Sequence, residues 1–170
     1  MNEVQGTNAS QASQASEASQ TSRRNIFERI LVPTDGSEAS QRAILAGADF
    51  ARELGAEIVG FIATPEFRVL SANPDVLADT PEQYAVGSSE RAERLLADIG
   101  QAARAAGVPC RLEHAVSDNP HEAIIDAAGR FNCDLILMAS HGRHGIAGLL
   151  LGSETQKVLV HSKLPVLVHR

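Results

Sequence analysis

From Ile26 onward, short runs of apolar and β-branched residues alternate with longer segments whose apolar residues recur every three or four positions. The first pattern is typical of buried strands and the second of amphipathic helices. Their alternation predicts repeated β-α-β units, in which parallel strands form one sheet and crossover helices cover its faces. The predicted fold class is therefore α/β, with an open parallel sheet of five strands flanked by four helices.

The same pattern gives each element a range. Strands are predicted at residues 26–34, 57–64, 110–116, 134–139 and 165–169, and helices at residues 37–55, 80–107, 119–131 and 153–162. Thr80 and Asn119 each precede a proline, with Gln83 and Glu122 three residues further on. A capping residue, a proline at the first helical position and a Glu or Gln partner favour a helix start, so both are predicted N-caps.

Residues 1–24 differ from the rest of the chain because Ser, Ala and Gln dominate them. Such a segment cannot bury enough apolar surface to offset the entropy of ordering. We therefore expect a disordered tail followed by one domain at residues 25–170; a transiently helical docking arm is the alternative for the tail. Residues 65–79 are longer than an ordinary connection and are a candidate flap over a site.

Charge and composition exclude several classes of protein. The net charge is −6, with one Tyr, five Phe and no Trp, so both the positive charge and the aromatic surface of a nucleic-acid binder are lacking. No apolar run approaches the roughly 18 residues that cross a bilayer. We expect no membrane association, a cytoplasmic location because no targeting signal is evident, and buried free thiols at Cys110 and Cys133 rather than a disulfide.

Two connections hold the candidate binding residues, because open parallel sheets bind ligands beyond the carboxyl ends of their strands, where the strand order reverses. Pro33, Thr34 and Asp35 follow the first strand, and a glycine-rich connection that ends at Gly152 and Ser153 follows the fourth. Small residues let backbone N–H groups approach an anion, and a helix start attracts one. A phosphate site is one interpretation, and a plain connection is the other. Asp35 by itself also fits an Asx turn or helix cap.

The segments PTDGSE, MASHGR, LLLGS and PVLVHR, in this order, resemble the universal stress protein family over residues 30–170. In nucleotide-binding members the loop reads glycine, two residues, glycine, nine residues, glycine, then Ser or Thr. This register gives Ala139, Gly142, Gly152 and Ser153, so the first glycine is replaced by alanine. The extra methyl would crowd a nucleotide, or cost about 1 kcal/mol at positive φ, but little if φ is negative and the Cβ points aside.

The resemblance implies the adenine nucleotide alpha-hydrolase-like fold, with strand order 3-2-1-4-5, and an ATP site. It implies adenosine contacts from Asp35 and the Ala63 backbone, sugar contacts from Met138 and Ala139, and phosphate contacts from Gly142, Gly152, Ser153 and the Glu154 backbone. Arg143 and His144 could reach the outer phosphates, although exposed charged residues are commonly only solvated. The resemblance further implies a homodimer through antiparallel pairing of Val166–His169.

The residues favour binding over catalysis. Ser153 lacks the G-x-S-x-G setting of a hydrolase nucleophile, and no paired carboxylates or arginine finger stand out for phosphoryl transfer. His141 and His144 do not form a metal site, so Mg²⁺ would arrive on the nucleotide's own phosphates. We expect a dimeric ATP-binding stress-response sensor with no catalytic residue and little or no turnover. The alternatives are a nucleotide-free dimeric adaptor, favoured by Ala139, and a weak ATPase or adenylyl-transferring enzyme.

Overall fold

The computed structural model describes residues 25–67, 81–142 and 151–170. Four predictions fall outside this part of the chain, wholly or in part. They are the disordered tail at residues 1–24, most of the candidate flap, the N-cap at Thr80, and the phosphate contacts of Arg143 and His144.

The described residues form five strands and four helices that alternate along the chain. The strands are β1 (Arg29–Pro33), β2 (Glu57–Thr64), β3 (Cys110–Val116), β4 (Leu135–Ala139) and β5 (Val166–His169). The helices are α1 (Glu38–Leu54), α2 (Pro81–Ala106), α3 (Pro120–Arg130) and α4 (Ser153–His161). The strands pair in parallel in the order β3-β2-β1-β4-β5, which confirms the predicted fold class and strand order.

The sheet separates two apolar layers because successive side chains of a strand point to opposite faces. In β1, Ile30 and Val32 pack with α1 and α2, whereas Leu31 packs with α3 and α4. All three side chains are fully buried. A strand covered on both faces has no polar side to show, which is why β1 reads in the sequence as a continuous apolar run.

The first strand begins later than predicted. Ile26 is 80% exposed and lies outside the core, although its apolar character placed it in the strand. The backbone N–H groups of Glu28 and Arg29 donate to the Asp134 carboxylate at 2.7 and 3.1 Å. This contact fixes the segment just before β4 against the entry to β1, and regular strand pairing begins at Arg29.

The starts of α1 and α3 are capped in different ways. Ser37 caps α1, because its side chain accepts a hydrogen bond from the Ser40 N–H at 3.1 Å. Asn119 occupies the N-cap position of α3 and Pro120 follows it, as predicted, but the Asn119 side chain makes no capping hydrogen bond. The carboxylate of Glu154, in the first turn of α4, instead accepts from the His121 N–H at 3.0 Å. One orphan donor at the start of α3 is therefore satisfied by another helix, which local sequence does not show.

Of the two thiols, Cys133 is buried as predicted, and burial raises its pKa to about 11. Cys110 is exposed, so the prediction of burial is wrong there. The reason is that β3 lies at an edge of the sheet, where fewer neighbours cover the start of a strand. Both cysteines are free thiols. Among the described helices, none has the length and apolar character to span a bilayer.

Gly60 marks a close contact between β2 and its neighbours. A Cβ at this position would lie 2.9 Å from Ile99 Cγ2 and 2.9 Å from Leu112 Cδ2, so these side chains would have to shift. We expect Gly60→Ala to lower the free energy of unfolding by about 1–3 kcal/mol, measured by urea denaturation.

The matched control for this substitution is Gly87→Ala within α2. A Cβ at Gly87 meets nothing within 4 Å. Because alanine favours the helical backbone over glycine, this variant should be as stable as the parent, or more stable by up to about 1 kcal/mol. Equal losses of stability in the two variants would contradict the packing argument.

Candidate functional site

A cleft of about 270 Å³ opens at the carboxyl ends of β1 and β4. The two strands are adjacent, but the chain leaves β1 for α1 on one face of the sheet and leaves β4 for α4 on the other. This divergence separates the two connections and leaves a crevice between them. The lining residues are Pro33, Thr34, Asp35, Ser40, Phe61, Ala63, Pro120, Ile124, Met138, Ala139, His141, Gly142, Gly152, Ser153, Glu154 and Thr155.

The floor of the cleft is apolar. Phe61 and Met138 line it from the sheet and Ile124 lines it from α3. All three belong to the core layer between the sheet and helices α3 and α4. Each is almost completely buried. These side chains offer an apolar surface to a flat ligand group. Three polar lining residues, Thr34, Ser40 and Thr155, are buried as well. A mainly apolar lining with a few placed polar groups is the usual arrangement of a small-molecule site.

Asp35 is positioned by a tight turn after β1. Its Oδ1 accepts a hydrogen bond from the Ser37 N–H at 3.0 Å, and Thr34 Oγ1 accepts from the Gly36 N–H at 3.1 Å. The Asx turn that the sequence left open is therefore present. Asp35 also lines the cleft, so the residue that forms the turn can also contact a ligand.

Gly142 and Gly152 stand where the glycine-rich connection passes close to other atoms. A Cβ on Gly142 would lie 2.5 Å from Asp35 Oδ2, and a Cβ on Gly152 would lie 3.1 Å from His141 Cα. The Gly152 N–H donates to the Ser140 carbonyl at 2.8 Å, which draws the two ends of the connection together. Neither glycine has a positive φ. Close approach, rather than backbone conformation, is thus the reason for glycine at both positions.

Ala139, which replaces the first glycine of the family pattern, lies within β4 and its φ is not positive. Its side chain belongs to the core layer beneath α1 and α2, opposite the floor formed by Phe61 and Met138. The Thr155 hydroxyl donates to its carbonyl at 3.0 Å. The additional methyl is therefore a packing group on the far side of the sheet and does not crowd the floor of the cleft.

The start of α4 forms the opposite rim. Ser153 is exposed and opens the helix, and Gly152 precedes it without any side-chain cap. The first N–H groups of a helix have no intrahelical partner and carry a partial positive charge, so this rim suits an anion. Burial alone would raise the pKa of Glu154, but hydrogen bonds from Lys157 and the His121 N–H outweigh it and lower that pKa.

All candidate site residues within the described part of the chain line this one cleft. They are Pro33, Thr34, Asp35, Ala63, Met138, Ala139, Gly142, Gly152, Ser153 and Glu154. Arg143 lies outside the described residues.

Sequence reasoning missed Phe61, although Phe61 and Ala63 are two apart on one strand and must share a face. It also missed Pro120 and Ile124, which reach the cleft only because α3 packs beside it. The strand period was a usable signal for the first of these. No local signal identifies the other two.

Comparisons with known proteins agree on one family. A model described as the universal stress protein family matches residues 26–170. A universal stress protein of Methanocaldococcus jannaschii is 28% identical over 147 residues, which cover 85% of this chain and 82% of that protein. Another, from Thermus aquaticus, is 32% identical over 146 residues, which cover 85% of this chain and 100% of that protein.

Solved structures give the same result. A universal stress protein in complex with cAMP matches with a TM-score of 0.63 and 28% identity, over 85% of this chain and 97% of that one. Solved universal stress proteins have the adenine nucleotide alpha-hydrolase-like fold, as the resemblance implied. Because the family model spans the described domain and these relatives align over most of their own lengths, the chain belongs to the universal stress protein family.

Proposed function

We propose that the cleft between β1 and β4 binds an adenine nucleotide, specifically ATP, and that the protein is a stress-response sensor rather than an enzyme. One observation carries the proposal: Gly142 and Gly152 lie where a Cβ would collide with Asp35 and His141, at the rim of an apolar cleft. The solved relative that is 28% identical, and that holds cAMP, supports a nucleotide as the ligand class.

The adenosine part of the ligand fits the β1 side of the cleft. Phe61 and Met138 present apolar surface to a planar base, and Asp35 offers carboxylate oxygen at the edge of that surface. A carboxylate accepts hydrogen bonds from an amino group or a ribose hydroxyl. Ala63 and Ala139 line the same cleft and complete the proposed contacts with the nucleoside.

The phosphates fit the β4 side. Gly142, Gly152 and Ser153 lie at the start of α4, whose dipole favours an anion. Because the Gly152 N–H already donates to the Ser140 carbonyl, the proposed donors to phosphate are the backbone N–H groups of Gly142 and Ser153 and the Ser153 hydroxyl. Arg143 remains a predicted contact of the outer phosphates. Among the described residues, no group of three or more His, Cys, Asp or Glu could hold a metal ion. Mg²⁺ carried on the phosphate oxygens of the nucleotide remains the prediction.

The ionisable side chains of the cleft support binding without efficient turnover. Asp35 Oδ1 accepts from a backbone N–H, His141 Nδ1 lies 3.0 Å from Ser140 Oγ, and Glu154 is bound by His121 and Lys157. A general base must instead reach the attacking water.

We also propose a homodimer through β5, which lies at the edge of the sheet. The Pro165 carbonyl accepts from the N–H of Ile136 in β4 at 3.1 Å, and the His169 carbonyl accepts from the N–H of Ser140, just after β4, at 2.7 Å. Because backbone direction alternates along a strand, Val166 and Val168 direct their N–H and C=O groups away from the sheet. An exposed apolar edge of this kind is a template for pairing with a second copy.

Nucleotide binding is tested by calorimetry with Mg-ATP and by analysis of nucleotide released on denaturing the purified protein. We expect the parent to bind, and Gly152→Ala to weaken binding by about tenfold or more, because the added Cβ displaces the connection. Ala139→Gly should leave the affinity within about twofold, since the methyl faces the other core layer. Gly129→Ala is the control, because a Cβ there meets nothing within 4 Å.

Two results would contradict this proposal. If the parent neither releases a nucleotide nor binds Mg-ATP, the nucleotide-free adaptor becomes the better interpretation. Turnover of ATP well above background that is abolished by Asp35→Asn or Ser153→Ala would favour an enzyme instead.

The homodimer is tested by size-exclusion chromatography with light scattering. We expect the parent to have the mass of a dimer at micromolar concentration. Val168→Pro should shift it toward the monomer, because proline removes an outward N–H from the pairing edge. Thermal unfolding of the variant checks that the monomer remains folded. A monomeric parent, or a folded Val168→Pro variant that stays dimeric, would contradict pairing through β5.

A further inference from the structure

Glu154 places a carboxylate where the proposed ligand carries its own negative charge. It is the second residue of α4 and lines the cleft, at the helix start that would receive the phosphates. Like charges at short range repel, and the repulsion grows with each phosphate group of the ligand. Some feature of the chain must offset this charge if the site is to accept ATP, so the inference rests on the proposed function.

Both oxygens of this carboxylate have donors outside the phosphate-binding rim. Oε2 accepts from the His121 N–H at 3.0 Å and lies 3.2 Å from His121 Nδ1, and Oε1 accepts from Lys157 Nζ at 2.8 Å. His121 is the second residue of α3, so the carboxylate also lies at the positive end of that helix. The side chain of Glu154 is turned toward α3 and along α4.

The three donors keep the carboxylate ionised. Burial of Glu154 would raise its pKa, but the hydrogen bonds from Lys157 and His121, together with the charge of Lys157, lower it. At neutral pH the group therefore carries a full negative charge. The net charge at the rim then depends on how much of the negative charge of Glu154 is offset by the ammonium group of Lys157 and by the positive end of α3.

Lys157 is placed to act on the ligand through Glu154. Its ammonium group binds the carboxylate of Glu154, which lies one turn earlier in α4. Glu154 lines the cleft, whereas Lys157 is not among the described lining residues. We propose that Glu154 and Lys157 form a charge pair that determines how strongly the site discriminates among adenosine, adenosine monophosphates and ATP. The negative charge of Glu154 reduces the affinity gained from each added phosphate. Lys157 is the positioning residue that binds this carboxylate and thereby weakens its repulsion of the ligand.

The test measures affinities for adenosine, cAMP, AMP, ADP and ATP in four proteins: the parent, Glu154→Gln, Lys157→Met and the double variant. Glutamine retains an oxygen that can accept from the His121 N–H but removes the charge. We expect Glu154→Gln to raise the affinity for ATP by about threefold or more, with a smaller gain for AMP and no change for adenosine. Lys157→Met should lower the affinity, most for ATP, less for AMP and not at all for adenosine.

The double variant separates action through Glu154 from direct contact with phosphate. If Lys157 acts through Glu154, Lys157→Met should cost little ATP affinity once Glu154 is already glutamine. The controls Glu53→Gln and Lys163→Met make the same charge changes on exposed side chains elsewhere in the chain. They should leave the ranking of the five ligands unchanged.

Each remaining outcome overturns the inference in a recognisable way. Equal changes for adenosine and ATP would show that the pair only supports the fold. An undiminished loss from Lys157→Met in the double variant would show direct contact between Lys157 and phosphate. If the parent binds none of the five ligands, the proposed function fails together with the inference.

Discussion

The cleft exists because β1 has a parallel neighbour on each side and the chain leaves β1 and β4 toward opposite faces of the sheet. Hydrogen bonding of the central strands fixes this geometry, and an apolar layer packs the helices against each face of the sheet. Every candidate residue after β1 or β4 is placed by that divergence. Glycine is then required at positions 142 and 152, because the connection that follows β4 must pass close to the turn after β1 and to its own start.

Glu154 combines a structural and a chemical role. Its carboxylate satisfies a donor at the start of α3 and thereby fixes α4 beside α3. The same group contributes a negative charge to the rim of the cleft. Removing a cap of this kind commonly costs about 1 kcal/mol, so the contact stabilises the fold while it sets the charge that a ligand meets. Lys157 binds the same carboxylate, which is the basis for the proposed effect of Lys157 on the ligand.

Much of the fold could be predicted because its causes are local. The alternation of apolar periods predicted the five strands and four helices of the described residues. The predicted start of α1 near Ser37 and its predicted end at Gly55, a glycine with positive φ, are both confirmed. The family resemblance located both sides of the cleft. What failed depended on tertiary neighbours. Cys110 is exposed because β3 is an edge strand. The side-chain acceptor at the start of α3 is Glu154 rather than Asn119, and Glu154 lies 33 positions along the chain from the His121 N–H that it accepts from.

Ser140 connects two regions that have so far been treated separately. Its N–H donates to His169 at 2.7 Å, at the end of β5, and its carbonyl accepts from Gly152 at 2.8 Å, at the mouth of the cleft. The two peptide units that flank Ser140 therefore join the sheet edge proposed for subunit pairing to the connection proposed to hold phosphate. If a ligand in the cleft strengthens the association of two subunits, the association of the subunits must strengthen ligand binding by the same free energy.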